Sequence, residues 1–317
     1  MLPSSRFILT VHEVTQTNLN NLDRFINQYL KRWAGLPRSA TPSILHIDQF
    51  YAIKTIKELY EESHSISYTS TRLKGDATVS HAMDTKMARE SNWTGKSSTI
   101  MQSAATFESA IALPSPPSPS IGHIKSKVKT IVHTKHQSYH WSHITSLAMQ
   151  GEFCRLWELQ EADYTWKADI CNLPRGIAKF LINSTLNTLP TRDNLTRWGK
   201  TISAACDRCG NRETMHHVLS GCPTSLDQGR YTWRHDSVLN RIQEIVSKTQ
   251  DSNVEVFCDA GGRPWTIPPD ILPTSDRPDL VILKRETNTI LIFELTVPYE
   301  LNIKKDHQYK CHKYTSH

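Results

Sequence analysis

The sequence predicts an α+β fold that is mostly helical, with helical N-terminal and middle segments, a compact Cys/His motif and a small α/β domain after it. Three observations support this prediction. Apolar residues recur at helical spacing over much of the chain before residue 200. Four residues of metal-ligand type fall within residues 206–222. Two apolar runs, at residues 277–283 and 290–297, flank a polar turn as the strands of a β-hairpin do.

Composition limits the class of protein. The chain has 317 residues, a formal net charge of +6 and 38% hydrophobic residues, which suits two or three modules with buried cores. The small excess of Lys and Arg permits binding to a polyanion without requiring it. The N-terminus lacks the basic start and apolar run of a signal peptide, and no stretch approaches the roughly 18–20 apolar residues of a membrane span. We therefore expect an intracellular protein with no membrane partner.

We predict five segments, which are a helical segment at 1–62, a Ser/Thr/Pro-rich and basic linker at 63–140, a helical connection at 141–203, the Cys/His motif at 204–230 and the α/β domain at 231–317. The first helix should cover residues 17–34, with Asn18 as its candidate cap and Gly35 as its stop. Its apolar stripe consists of Leu19, Leu22, Ile26, Tyr29, Leu30 and Trp33. A second helix is predicted over residues 48–61.

The stretch 109–151 contains no Asp or Glu. It includes Lys125, Lys127, Lys129 and Lys135, together with five histidines, Tyr139 and Trp141. Cations interleaved with aromatic rings suit single-stranded nucleic acid, which offers phosphates and base faces for stacking. A solvated basic linker explains the same composition, so both interpretations stay open.

The Cys/His motif has the pattern C-x2-C-x7-H-x4-C, formed by Cys206, Cys209, His217 and Cys222. Thiolates and an imidazole are the ligands that tetrahedral Zn²⁺ takes, and four protein ligands predict a structural zinc site. The alternative is a chance cluster of reduced cysteines. His216 is a second candidate for the imidazole ligand, although the spacing favours His217. Arg208, in the turn between the first two cysteines, is a candidate contact to nucleic acid.

A pair of acidic residues follows in the predicted hairpin. Asp279 begins the first strand and Glu294 lies inside the second. A turn centred near Thr287 would pair Asp279 close to Glu294 or Leu295, so that the two carboxylates lie near each other at the open end of the hairpin. Two neighbouring carboxylates are suited to Mg²⁺. This spacing resembles the PD…E part of PD-(D/E)xK nucleases, but Thr296 stands where that pattern has lysine. Lys310 or Lys313, from a helix at 300–314, could supply the cation instead. In the alternative interpretation Asp279 only starts a strand and Glu294 is a satisfied polar residue.

Together these segments resemble the C-terminal region of non-LTR retrotransposon polyproteins that use a restriction-like endonuclease. The resemblance lies in the stretch 187–195 with Trp198, in Arg277–Asp279, in ELTVPYE at 294–300 and in KxxKY at 310–314. It also includes the Cys/His motif at 204–230, which we call the zinc knuckle. Residues 30–38 are similar to the polymerase thumb of that family. The resemblance implies Asp279 and Glu294 as Mg²⁺ ligands, Lys310 as the catalytic lysine beside Tyr314, and Cys206, Cys209, His217 and Cys222 as zinc ligands.

That family nicks target DNA and primes reverse transcription from the cut. The resemblance therefore implies DNA or RNA as partner, a nuclear location, and a metal-dependent endonuclease. The aspartate-rich polymerase motif F/YxDD is missing, so no polymerase activity is expected. Because the chain ends at His317, the sequence predicts a truncated nuclease core. The alternatives are a non-catalytic, zinc-dependent nucleic-acid-binding module and a decayed element fragment.

Overall fold

The computed structural model describes residues 9, 14–73, 77–82, 84–85, 120–158, 169–170, 172–249, 254–261, 267, 269, 276–299 and 302–315. The described part is mostly helical with one small antiparallel sheet, which confirms the predicted α+β class. It divides into two compact units, Met1–Thr188 and Leu189–His317. Among its helices none is both long and apolar enough to cross a membrane. The Pro-rich stretch 113–119 lies outside the described residues.

The helices of the first unit are α1 (Gln16–Ala34), α2 (Ser43–His46), α3 (Ile56–Leu73), α4 (Ile121–Ser146), α5 (Glu152–Glu158) and α6 (Arg175–Thr185). Their core contains buried residues from several helices and from the loop between α1 and α2, among them Leu36, Ile44, Leu45, Ile144 and Ile182. The prediction of a helix over 48–61 was wrong in its bounds. Residues 48–51 form a turn and residues 52–55 are irregular, with Ala52 at a φ of 50°, and the helix begins at Ile56.

Helix α1 confirms the predicted span but not the predicted cap. The Thr15 hydroxyl accepts a hydrogen bond from the Asn18 backbone N–H at 3.2 Å, so Thr15 is the cap and Asn18 lies inside the helix. Gly35 ends the helix at a φ of 70°, in the left-handed region that glycine adopts without strain. Only part of the apolar stripe is covered: Leu19 is buried, whereas Trp33 is 69% exposed.

Helix α4 is the largest departure from the predicted organisation. It begins at Ile121, about twenty residues before the predicted start, so the segment predicted to be a basic linker is helical from there onward. Ser120 caps it by accepting a hydrogen bond from the His123 N–H at 3.2 Å. Residues four apart line one buried face, namely Ile124, Val128, Val132, His136, His140 and Ile144. This face packs against α3, so two of the five histidines point inward.

The second unit contains α7 (Arg192–Arg197), a π-helix (His217–Gly221), α8 (Pro223–Asp227), α9 (Arg230–Thr249), β1 (Val254–Cys258), β2 (Leu280–Lys284), β3 (Thr289–Phe293) and α10 (Ile303–Thr315). The strands form an antiparallel sheet in the order β1-β2-β3. A 3₁₀ turn (Arg285–Thr287) and Asn288, at a φ of 48°, connect β2 to β3. Strand β2 is central, and its residues Leu280, Val281, Ile282 and Leu283 are buried.

Candidate metal centre and the acidic end of the sheet

The four Cys/His residues converge in the second unit. One ligand atom from each of Cys206, Cys209, His217 and Cys222 lies within 4.8 Å of the others. The Cys222 and Cys209 sulfurs are 3.9 Å apart, and the Cys209 sulfur is 3.4 Å from His217 Nε2. A tetrahedral ion with Zn–S bonds of about 2.3 Å requires sulfurs about 3.8 Å apart. The residues present therefore fit Zn²⁺ in both ligand type and spacing.

A tight turn positions the first two ligands. The Cys206 backbone N–H donates a hydrogen bond to the Asn211 carbonyl at 2.7 Å, and the Gly210 N–H donates one to the Cys206 carbonyl at 2.9 Å. Gly210 has a φ of 76°, a conformation that disfavours any residue with a Cβ. Because the residue at this position is a glycine, the chain can reverse direction directly after Cys209 without backbone strain.

The other two ligands come from the π-helix and its end. The Thr214 hydroxyl accepts a hydrogen bond from the His217 N–H at 3.1 Å, and the Cys222 N–H donates to the Tyr231 hydroxyl at 2.9 Å. The Ser225 hydroxyl and backbone N–H lower the pKa of the Cys222 thiol, which favours the thiolate that binds metal. His216, the other candidate ligand, is not part of the cluster. Its ring packs edge-on against Tyr299, with 5.0 Å between the ring centroids.

Helix α7 braces the knuckle. The Asp193 carboxylate, 8% exposed, binds Arg197 at 3.0 Å and Arg212 at 2.6 Å. Arg192 forms an ion pair with Asp207 in the Cys206–Cys209 turn, and its backbone N–H donates to the Glu213 carboxylate at 2.9 Å. The segment before the knuckle therefore belongs to the same folded unit, an arrangement that spacing alone did not reveal.

At one end of the sheet the two predicted acidic residues lie opposite each other. Leu280 pairs with Phe293 in the β2–β3 register, so the next pair outward is Asp279 and Glu294. Directly opposite residues of an antiparallel pair lie on the same face. Lys310 of α10 reaches both carboxylates, with its Nζ 3.1 Å from Asp279 Oδ2 and in contact with Glu294 Oε2. The side chains of Lys313 and Tyr314 are outside the described part.

Charge and burial shape this cluster. Burial raises the pKa of Asp279, but the Leu295 N–H, at 2.7 Å, and the Lys310 ammonium outweigh it, and the pKa is lowered overall. Burial lowers the pKa of Lys310, but Glu294 and Asp279 outweigh it, and that pKa is raised. Asp279 and Lys310 therefore stabilise each other in their charged forms.

Further charged residues at this end of the sheet were not anticipated. Asp259 is opposite Asp279, because its N–H donates to the Asp279 carbonyl at 2.9 Å, and its carboxylate binds Arg277 at 2.8 Å. From α9, His235 Nε2 lies 3.5 Å from Asp279 Oδ2, and Asp236 accepts from the Gly261 N–H at 3.1 Å. The only sequence signal was that Asp259 directly follows a strand.

The acidic end of the sheet fits Mg²⁺ in its donor chemistry. Asp279 and Glu294 supply carboxylate oxygens on one face, which is the hard ligand set that Mg²⁺ takes. The Lys310 ammonium already contacts both carboxylates. An ion that used those same oxygens would therefore require the lysine to shift.

The predicted nucleic-acid contacts have different surroundings. Lys125, Lys127 and Lys129 are exposed on α4. Lys135 forms an ion pair with Glu61, so its charge is already balanced within the first unit. Arg208 is exposed in the knuckle turn, with its Nη1 3.3 Å from Gln228 Oε1.

Comparison with known proteins bears on the knuckle. The family described as zinc-binding in reverse transcriptase matches residues 152–228, which include all four ligands. A retrovirus-related Pol polyprotein from the type-1 retrotransposable element R2 of Nasonia vitripennis is 28% identical over 122 residues. The aligned segment covers 38% of this chain and 12% of that relative. The family match supports Zn²⁺ at the Cys/His cluster, and both findings confirm the resemblance of this chain to retrotransposon reverse transcriptases.

Proposed function

We propose that this chain binds nucleic acid and nicks DNA with Mg²⁺, as part of a retrotransposon reverse transcriptase/endonuclease and without polymerase activity of its own. The observation that carries the nuclease proposal is the convergence of Asp279, Glu294 and Lys310, two residues at the open end of a hairpin and one on a later helix. An acidic residue in a strand is common, but two such residues joined by one partly buried lysine combine ligands for a metal ion with a cation for a phosphate.

Each of these residues has a role in the proposed reaction. Asp279 and Glu294 would hold the ion, which when bound polarises a phosphodiester and activates water. Lys310, 27% exposed, would stabilise the charge that develops on the phosphate. The neighbouring Asp279–Leu295 backbone hydrogen bond fixes the carboxylate before any substrate arrives.

A plasmid-nicking assay with Mg²⁺ tests this proposal. We expect Asp279→Asn and Glu294→Gln each to lower the nicking rate at least about 100-fold, because a transition-state interaction is lost. Lys305→Gln is the matched control for Lys310→Gln, because Lys305 is exposed on the same helix. Equal nicking by all variants, or none by the unmodified chain, would reject the endonuclease.

A second function, zinc-dependent nucleic-acid binding without chemistry, is favoured by the knuckle itself. The ligand geometry supports a structural ion, and such an ion stabilises a segment too small for its own core. Salt-dependent retention of single-stranded DNA or RNA, combined with no nicking, would identify this alternative. Nicking of genomic DNA would require a nuclear location.

A further inference from the structure

A cavity of about 780 Å³ lies at the zinc knuckle, between the π-helix, α8 and the first turns of α9. The zinc ligands Cys206, His217 and Cys222 are among its lining residues, so part of this volume belongs to the metal site. The size of the cavity is within the range of cavities that hold small organic ligands. It lies inside the second unit, and neither Asp279, Glu294 nor Lys310 lines it. The residues that line it, not its volume, indicate what it binds.

Two guanidinium groups meet at the rim around one neutral oxygen. Arg208 Nη1 and Arg230 Nε lie 3.3 Å and 3.2 Å from the same atom, Oε1 of Gln228. A neutral amide oxygen orients both cations but leaves both charges unbalanced. Within the described part of the chain neither arginine forms an ion pair. A phosphate group would satisfy this pair, because guanidinium groups bind phosphate oxygens through parallel hydrogen bonds.

A third guanidinium lies deeper in the wall. Arg234 donates to the Leu219 carbonyl at 2.6 Å and to the Val297 carbonyl at 2.8 Å, and its Nε is buried without a hydrogen-bond partner among the described residues. Neutral carbonyl oxygens therefore solvate its charge. The carboxylate among the lining residues, Glu213, accepts a hydrogen bond from the Arg192 backbone N–H at 2.9 Å. With three thiolates and one Zn²⁺, the loaded knuckle carries a charge of about −1. Three guanidinium groups against one carboxylate and the knuckle therefore leave the described wall with a charge of about +1.

Two aromatic rings complete the lining. Tyr231 is partly buried, and the Arg234 guanidinium lies 5.5 Å from its ring centre. Trp233 is 73% exposed although it is the largest side chain of the wall. An indole left in water beside unbalanced guanidinium groups provides the stacking surface and the phosphate contact that single-stranded nucleic acid uses. A base inside a duplex is stacked on its neighbours, so its face is not available to such a ring.

We propose that this cavity binds one nucleotide of a single-stranded nucleic-acid chain, with the phosphate at Arg208 and Arg230 and the base on Trp233. The proposal rests on the nucleic-acid binding proposed above and does not depend on nicking. It adds to that proposal where the nucleic acid binds, that it is single-stranded, and which side chains contact its phosphate and base.

Fluorescence anisotropy with a labelled 15-nucleotide oligo-dT or oligo-U, at several NaCl concentrations, tests the proposal on the zinc-loaded full chain. We expect Trp233→Ala to weaken binding roughly 5- to 100-fold with little change in salt dependence, and Trp233→Phe to retain most of the affinity. The double variant Arg208→Ala/Arg230→Ala should weaken binding and reduce the slope of log K against log salt by about 0.7 for each phosphate that it no longer binds. Arg241→Ala is the control, since Arg241 is on the same helix, away from the cavity, and paired with Glu244 at 2.7 Å.

The outcomes separate this proposal from the broader one. If the chain binds the oligonucleotides but Trp233→Ala and the double arginine variant bind as the unmodified chain does, the cavity proposal is wrong and nucleic-acid binding stands. If the unmodified chain binds no oligonucleotide at low salt, both are wrong. Should the arginine variant lose zinc, the exposed Trp233 variants decide alone. Displacement of the oligonucleotide by equimolar thymidine monophosphate or inorganic phosphate would instead indicate a site for a free small anion.

Photo-crosslinking supplies the position. An oligonucleotide carrying one 5-iodouracil should crosslink to the peptide that contains Tyr231 and Trp233, and Trp233→Phe should shift or weaken that crosslink. Crosslinks that map only outside residues 206–234 would overturn the proposal even if the affinities changed as expected.

Discussion

The knuckle and the α3–α4 interface both bury histidine beside charged or ionisable groups, but they do so by different means. In the knuckle, four ligands within residues 206–222 face one another around a space that suits a metal ion. In the α3–α4 interface, His136 contacts Glu61 at 2.8 Å, with the partners 75 positions apart in sequence. The first arrangement depends on an ion and a local turn, whereas the second depends on the tertiary packing of two helices.

The difference shows where a sequence pattern is informative. Residue type and spacing define the knuckle because its geometry is fixed within one short segment. In α4 the same residue type suggested a surface that binds nucleic acid, because the acidic partners Glu58 and Glu61 lie on another helix. A histidine opposite a buried carboxylate is part of a core, and only the fold reveals that partner.

The largest expected effect is on the knuckle. Cys206→Ser should abolish stable zinc binding, because it removes one of the four ligands. The knuckle should then unfold, because ion binding contributes on the order of 10 kcal/mol to folding in small zinc motifs. Zinc stoichiometry and hydrogen exchange of peptides from 204–230 measure the result, and we expect those peptides to lose protection. The exposed Cys311 provides the control variant Cys311→Ser. Full zinc retention by Cys206→Ser would contradict the assigned ligand set.

A medium effect is expected at the α3–α4 interface as pH falls. Burial lowers the pKa of His140 to about 3 from an ordinary value of 6.5. Between these two pH values the unfolded chain binds the proton and the folded chain does not. The free energy of unfolding therefore decreases as the pH is lowered, by at most about 1.4 kcal/mol per pH unit. The pKa of Glu61 is lowered to about 2, so its stabilisation is present above pH 4.5 and is lost below it.

Hydrogen exchange of α4 peptides between pH 7 and pH 5, compared between the unmodified chain and His140→Leu, tests the contribution of His140. We expect His140→Leu to reduce the loss of protection over this range, because the variant has no buried ring to protonate. His133 acts in the opposite direction: burial lowers its pKa, but Glu58 and Asp48 outweigh that and raise it, so its stabilisation is lost as pH rises. His123→Leu, at an exposed position of the same helix, should leave the profile unchanged. An unchanged profile in His140→Leu would contradict the assignment.

The sequence predicted the sheet end better than the helices around α4. Two apolar runs and a short polar turn predicted that Asp279 pairs with Glu294 or Leu295, and the observed register selects Glu294. Lys310 was one of two candidates, since helical periodicity brings both Lys310 and Lys313 near one face. His235 was missed because its proximity to Asp279 depends on how α9 packs on β1. Asp259 was missed because its proximity depends on the pairing of β1 with β2. Likewise, no local signal predicts that Arg234 joins the π-helix to residue 297.

The smallest effect on stability, and the sharpest test of the α4 surface, comes from its exposed lysines. Replacing Lys125, Lys127 and Lys129 together by Gln should change stability by less than about 0.5 kcal/mol per site, because these side chains are exposed. Lys135→Gln should cost more, since the buried Glu61 carboxylate would lose the Lys135 ammonium. If the α4 lysines contact phosphates, the triple variant should also bind oligonucleotides more weakly, with a salt slope reduced by up to about 0.7 per lysine. Unchanged affinity in the triple variant, with weaker binding in the Trp233 variant, would assign nucleic-acid contact to the knuckle side of the chain and leave α4 as a solvated helix face.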